Sequence, residues 1–153
     1  MSSKKEEAVD VAVRPLLLYP AVFITGMGLD AAAGVAGAIP TFPRTGGGVF
    51  LAGSALVGWA FRTLKKSGAT GKFEGPVAVL SVEGPYRWSR NPVYVGMSLM
   101  YLGASIGSAG ALAMFPVLLA AMSWGVVFRE ERFLSKKFGE TYELYRRRVP
   151  RWI

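Results

Sequence analysis

Charge is almost absent from two long stretches of the chain. Between residues 15 and 61 the charged side chains are Asp30 and Arg44 alone, and between residues 92 and 128 there is none. A helix needs about 20 mostly apolar residues to cross a bilayer. Four segments fit that requirement, at about residues 16–37, 49–64, 92–108 and 109–128. The second is short, and its flanks extend it. The third and fourth are joined by the uncharged "GSAG", which predicts a tight hairpin and places those two helices antiparallel and side by side. Glycine and alanine recur in all four, as close helix contact in lipid requires.

Beyond the fourth segment the pattern changes. Leu134, Phe138, Tyr142, Tyr145 and Val149 recur at steps of three and four, which makes one helical face. Lys136, Lys137, Glu140, Glu143 and Arg147 fall elsewhere on the wheel. The spacing predicts an amphipathic helix on the cytoplasmic interface, in its simplest role a membrane-surface anchor. The fold class expected is therefore all-α integral membrane protein, with about four transmembrane helices plus a C-terminal amphipathic cytoplasmic helix. The whole chain reads as a single domain. Residues 1–14 form a tail, 15–64 two helices, 65–91 a loop, 92–128 a hairpin and 129–153 the C-terminal helix.

Charge orients this arrangement. Of the 18 Lys and Arg, only Arg44 falls between the first and second segments; the others lie in the N-terminal tail, the loop after the second segment and the C-terminal tail. Four crossings with both termini cytoplasmic satisfy the positive-inside rule. Trp59, Trp88, Trp124 and Trp152 fall near the same face, as interfacial anchors do. The small chain suggests a bacterial plasma membrane. Lys4, Lys5 and the run "AAAGVAGA" resemble a secretory signal, but the run is long for one and Glu6, Glu7 and Asp10 oppose it, so no cleavage is expected. The net charge of +8 matches an anionic membrane face, and the apolar runs exclude nucleic acid as the partner. Asp30, late in the first segment, is expected near the outer interface; an acid at membrane depth is also a functional candidate.

The chain has no cysteine and no histidine. Disulfides, thiolate nucleophiles and the usual zinc ligands are excluded, and no metal site is expected. Chemistry must come from carboxylates, arginine, tyrosine and positioning. Two clusters supply them. In "YRWSRNPVYVG", Asn91 and Pro92 make a helix start, with Asn91 expected to cap the first amides. Arg87 and Arg90 beside that N-terminus form a site for a carboxylate or phosphate, and Tyr86, Trp88 and Tyr94 offer aromatic surface to a flat ring. In "FREERFL", Glu130 and Glu131 are expected at the end of the fourth helix, where the helix dipole disfavours acids. The hairpin brings the two clusters together. A ligand carrying a carboxylate, an ammonium and ribose hydroxyls suits such a corner. Read without the corner, the same residues are a helix cap, a solvated charge run and topology-setting arginines.

The combination "GPYRWSRNPVYVG", a hairpin, then "EERFLSKKFGETYELYRRRVPRWI" resembles the isoprenylcysteine carboxyl methyltransferase and phospholipid methyltransferase superfamily, over about residues 68–153. The resemblance implies an integral membrane methyltransferase that uses S-adenosylmethionine on a lipophilic acceptor (carboxylate, amine, thiol or hydroxyl) at the cytoplasmic membrane face. It implies cofactor-binding roles for Gly84, Tyr86, Arg90, Asn91, Pro92, Tyr94 and Gly96 on the loop-and-helix motif, for Glu130 and Glu131 on the acidic pair, and for Tyr142, Tyr145 and Arg148 on the C-terminal motif. Arg90 and Glu131 are the expected catalytic residues. Asparagine at position 91 departs from the histidine of many members, including those acting on prenylated cysteine. The partners expected are membrane lipids and a lipid or lipophilic small-molecule substrate. A non-catalytic membrane scaffold and a nicotinamide-dependent membrane reductase are the competing classes.

Overall fold

The computed structural model describes residues 14–37, 40, 42–68 and 79–153. The tail bearing Lys4 and Lys5, and Lys72 in the loop, lie outside the described residues. Every regular element among the described residues is helical: α1 (Pro15–Ala32), α2 (Pro43–Lys66), α3 (Pro92–Ser105), α4 (Ala109–Ala113), α5 (Phe115–Met122), α6 (Phe128–Phe138) and α7 (Glu140–Arg148). A 3-10 turn at Gly84–Arg87 precedes α3, and a π-helical segment at Ser123–Val127 joins α5 to α6.

Among the described residues, three helical stretches are long and apolar enough to cross a membrane: Pro15–Ala32, Pro43–Lys66 and Ala109–Phe138, with mean hydropathy 1.4, 1.2 and 2.0. Helix α2 starts well before the expected boundary, so Pro43 to Gly48 belong to it rather than to a connection. Helix α3 differs from the expected third span. Its 14 residues reach only about 21 Å, against roughly 30 Å of hydrocarbon. It is instead the inner helix of the bundle, with Tyr94, Val95, Gly96, Ser98, Tyr101, Gly103 and Ser105 all buried.

Glycine spacing explains how α3 sits so deep. Gly46 and Gly53 on α2 face Gly103 and Gly96 on α3, one pair two turns above the other. A Cβ at Gly53 would lie 2.5 Å from the Gly96 carbonyl oxygen, and one at Gly46 would lie 2.7 Å from that of Gly103. The two backbones touch, and no side chain fits between them. Gly26 of α1 meets Ala111 of α4 in the same way. Around α3, Tyr19, Val22, Tyr94, Tyr101, Leu118, Met122, Val126 and Val127 form the main core. The Tyr101 ring meets Tyr19, Phe23 and Phe115 at centroid distances of 6.4, 5.9 and 5.8 Å. Leu16, Leu17, Ile24, Met27 and Leu29 of α1 and Phe50 and Leu51 of α2 remain exposed, which suits a lipid-facing surface.

Two expectations about the last helices change. Glu130 and Glu131 do not end a helix. They lie in the first turn of α6, whose end is at Phe138 with Lys136 and Lys137 in the last turn. The dipole argument against two acids there therefore does not apply. The C-terminal helix is not continuous either. Gly139, at φ +54°, breaks it into α6 and α7, and the Ser135 hydroxyl closes the bend with a 2.5 Å hydrogen bond to Glu143. Tyr142, Tyr145 and Val149 still cluster with Leu80, Leu134 and Phe138. That stripe therefore packs against protein. Trp152 packs against the main core, whereas Trp59, Trp88 and Trp124 are exposed.

Candidate functional site

At the end of the bundle where α3 begins, three pieces of chain converge: the Ser89–Pro92 loop, the first turn of α6, and the strap that leaves the end of α7. Pro92 starts α3 and Asn91 holds the capping position, as the sequence predicts. The Asn91 side chain does not cap, however. Its Nδ2 donates to the Arg151 carbonyl at 3.0 Å, and the Ser89 hydroxyl donates to the same oxygen at 3.2 Å. The Arg90 amide donates to the Pro150 carbonyl at 3.0 Å. The returning strap thereby fixes the loop that carries Arg90.

The acid pair stands opposite. The π-helical segment just before α6 adds a residue to the turn and so rotates the face that α6 presents. The two glutamates point to different partners. Glu130 Oε1 accepts from the Tyr94 hydroxyl at 2.7 Å. Glu131, only 6% exposed, has Arg90 Nη1 at 3.0 Å and takes the Arg151 guanidinium as a fork, at 3.0 Å from Nε and 2.9 Å from Nη2. That pairing raises the Arg151 pKa further above its already high ordinary value. The Arg151 guanidinium also lies 4.4 Å from the centre of the Phe128 ring.

The buried Arg90 guanidinium in this corner is only partly satisfied. Arg90 Nη1 is 3.0 Å from Glu131 Oε1 without a directed hydrogen bond, Arg90 Nε likewise makes none, and the Tyr142 hydroxyl faces the Arg90 guanidinium as its nearest polar partner. The distance and the missing hydrogen bond are compatible, since proximity supplies Coulomb attraction while the N–H vector points elsewhere. Tyr142 is 1% exposed. Burial and then Glu131 raise its pKa above the ordinary tyrosine value, against the opposing effect of Arg90. Tyr145 packs on Tyr142 at 6.1 Å between ring centroids and donates to the Tyr86 carbonyl at 2.8 Å. Burial raises the Tyr86 pKa as well, with Tyr145 and Glu130 adding to it.

Of the residues expected from sequence, Tyr86, Arg90, Asn91, Pro92, Tyr94, Glu130, Glu131, Tyr142 and Tyr145 are brought into this one region. Gly84 and Gly96 serve packing. Gly84, at φ +55°, turns the chain against Thr63 and Trp59 of α2, and Gly96 faces Gly53. Arg87, Arg148 and Tyr145 line a separate open groove of about 520 Å³ with Val82, Thr141, Leu144 and Val149. Trp88 turns outward onto Trp59, edge to face at 5.5 Å. Ser89 and Arg151 are the participants that sequence reasoning did not single out. The tripeptide "VPR" after the last helix was the available signal, since a proline there ends the helix and turns the chain back.

The far end of the bundle holds another buried acid. Asp30 accepts from the Ser108 hydroxyl at 2.5 Å and from the Gly110 amide at 2.7 Å. Ser108 in turn accepts from the Ala111 amide at 3.1 Å. Asp30 is thus an anchor for the start of α4.

An all-helical membrane bundle with a buried arginine, an acid pair and a tyrosine-rich C-terminal wall is the class these observations define. The chain matches the phospholipid methyltransferase family over residues 43–141 and belongs to it. It is also 32% identical over 77 residues to the protein-S-isoprenylcysteine O-methyltransferase of Schizosaccharomyces pombe (strain 972 / ATCC 24843). That match covers 49% of this chain and 33% of the relative, so the chain spans about a third of the relative's length.

Proposed function

We propose that the protein is an S-adenosylmethionine-dependent methyltransferase acting on a lipophilic acceptor at the cytoplasmic face of the membrane. The observation that carries this reading is the buried Arg90 guanidinium, whose Nε and Nη1 make no directed hydrogen bond, beside an acid pair. Buried donors without partners are rare and costly, and a carboxylate satisfies them. Glu130, fixed by Tyr94, offers an acceptor to an ammonium or to ribose hydroxyls. The buried rings of Tyr86 and Tyr94 provide apolar walls near it. These residues fit a zwitterionic nucleoside ligand.

S-adenosylmethionine, when bound, supplies an already activated methyl group on sulfur. The protein's task is then chiefly alignment and exclusion of water, which suits a chain with neither histidine nor cysteine. Arg90 holds a carboxylate. Glu130 orients the other end of the ligand, and the tyrosines close the site. The family's name and the relative's name indicate two acceptor chemistries, a phospholipid and a prenylated cysteine carboxylate. Asn91, whose amide is committed to the strap, does not favour either.

The test is calorimetric titration of S-adenosylhomocysteine into the detergent-solubilised protein, with Arg90→Ala and Glu131→Ala in parallel. Micromolar binding that both variants lose is expected. If a folded wild type does not bind, the scaffold class replaces this reading. Labelled methyl transfer to phospholipid and to a prenylated cysteine analogue then selects the acceptor.

A further inference from the structure

Glu131 has little left to offer a ligand. Both of its carboxylate oxygens are taken by the Arg151 fork, and Arg90 Nη1 is 3.0 Å from one of them. Bidentate arginine–carboxylate pairs fix geometry as well as charge. Arg151 is itself held at several points. Asn91 and Ser89 hold its carbonyl, Arg90 holds that of Pro150, and Phe128 lies under its guanidinium. Trp152 beyond it is packed against the core. An arginine that merely set topology would need none of this. The result is a guanidinium–carboxylate–guanidinium row of net charge +1, whose more buried arginine, Arg90, makes no directed hydrogen bond from Nε or Nη1.

We propose that Arg151 is a positioning residue for the cofactor corner: its fork holds the Glu131 carboxylate in place, and that carboxylate sets Arg90 for an incoming carboxylate, with Asn91 and Ser89 latching the strap. This rests on the cofactor reading above and divides the labour between the two acids. Glu131 faces the arginines, and Glu130 is the acid left for the ligand. Asn91 acts through the strap rather than on the ligand. An ion triad with two buried members is weak grounds for a stability role, because desolvation offsets much of its Coulomb gain. A role in fixing Arg90 accounts for the extra latching.

The experiment is a double-mutant cycle on the full chain in detergent. Wild type, Glu131→Gln, Arg151→Gln and the double variant are titrated with S-adenosylhomocysteine, and their thermal midpoints are recorded without ligand. Arg151→Gln is expected to weaken binding by about tenfold, and the double variant to bind no worse than Glu131→Gln alone, as contacting members of one network behave. Arg151→Lys keeps the charge but not the fork, so it recovers only part of the loss. A merely structural role would let lysine restore binding fully or would lower every midpoint in step with affinity.

Binding of Arg151→Gln within about twofold of wild type, or losses that simply add in the double variant, overturns the proposal. If Arg151→Gln does not fold, Asn91→Ala decides: it leaves every charge in place, and unchanged binding by that variant overturns the latch and the role with it. Failure of folded wild type to bind sinks the methyltransferase reading instead. The Arg151–Glu131 coupling is then judged from the midpoints, where additivity overturns it.

Discussion

The bundle buries an acid at each end, and the two are treated differently. At one end Asp30 is closed off. Its two oxygens take the Ser108 hydroxyl and the Gly110 amide, and Ser108 passes the bonding on to Ala111. Every group named there has its partner, and the product is a secured helix start. At the other end Glu131 lies between two guanidiniums, and Arg90 Nε and Nη1 beside it make no directed hydrogen bond. Burial of a carboxylate is therefore not what distinguishes a site from an anchor. The difference is whether the surrounding polar groups close on themselves or leave capacity for something else.

The comparison can be broken most sharply at Glu131. Glu131→Ala leaves Arg90 and Arg151 without their shared counter-ion. Removing one partner of a buried pair costs about 3–5 kcal/mol, so unfolding in detergent should shift by that amount, with loss of S-adenosylhomocysteine binding. Stability and binding that both survive would remove the triad from the site. At the other end, Asp30→Ala orphans the Gly110 amide and should cost about 1–3 kcal/mol. Calorimetry on that variant should nevertheless give the wild-type affinity. A parallel loss of affinity would couple the two ends and undo the contrast.

Smaller changes sharpen it further. Tyr94→Phe removes the hydrogen bond to Glu130 while keeping the ring. A stability cost of about 1.5 kcal/mol is expected, together with a several-fold weaker cofactor affinity; an unaffected affinity would take Glu130 out of ligand contact. Ser108→Ala loses a helix cap and the hydrogen bond to the buried Asp30 carboxylate, together about 1–3 kcal/mol. It should move only the thermal midpoint, and any change in cofactor binding would contradict the anchor reading.

Much of this arrangement is legible along the chain. Hydropathy locates the long helices because each carries its apolar run locally. Asn91–Pro92 marks the start of α3 because proline fits the first turn. The uncharged hairpin brings Arg90 toward the acid pair, and the structure places Arg90 beside Glu131. The stripe from Leu134 to Val149 identifies residues that do cluster. Its cover was not legible, since periodicity reports which face is apolar and not whether lipid or protein lies against it. Nor was the break at Gly139 legible, because one glycine inside a periodic run leaves the period unchanged.

The sequence by itself determined an all-helical membrane protein, the residue types available for its chemistry, and the two clusters that meet. Tertiary structure decided the remainder. It made α3 an inner helix, because four glycines let α2 approach backbone to backbone. It gave the Asn91 side chain to Arg151, 60 positions away, and it set Arg151 on Glu131. Such choices depend on groups far apart in the chain competing for the same partner, and local propensity carries no record of that competition.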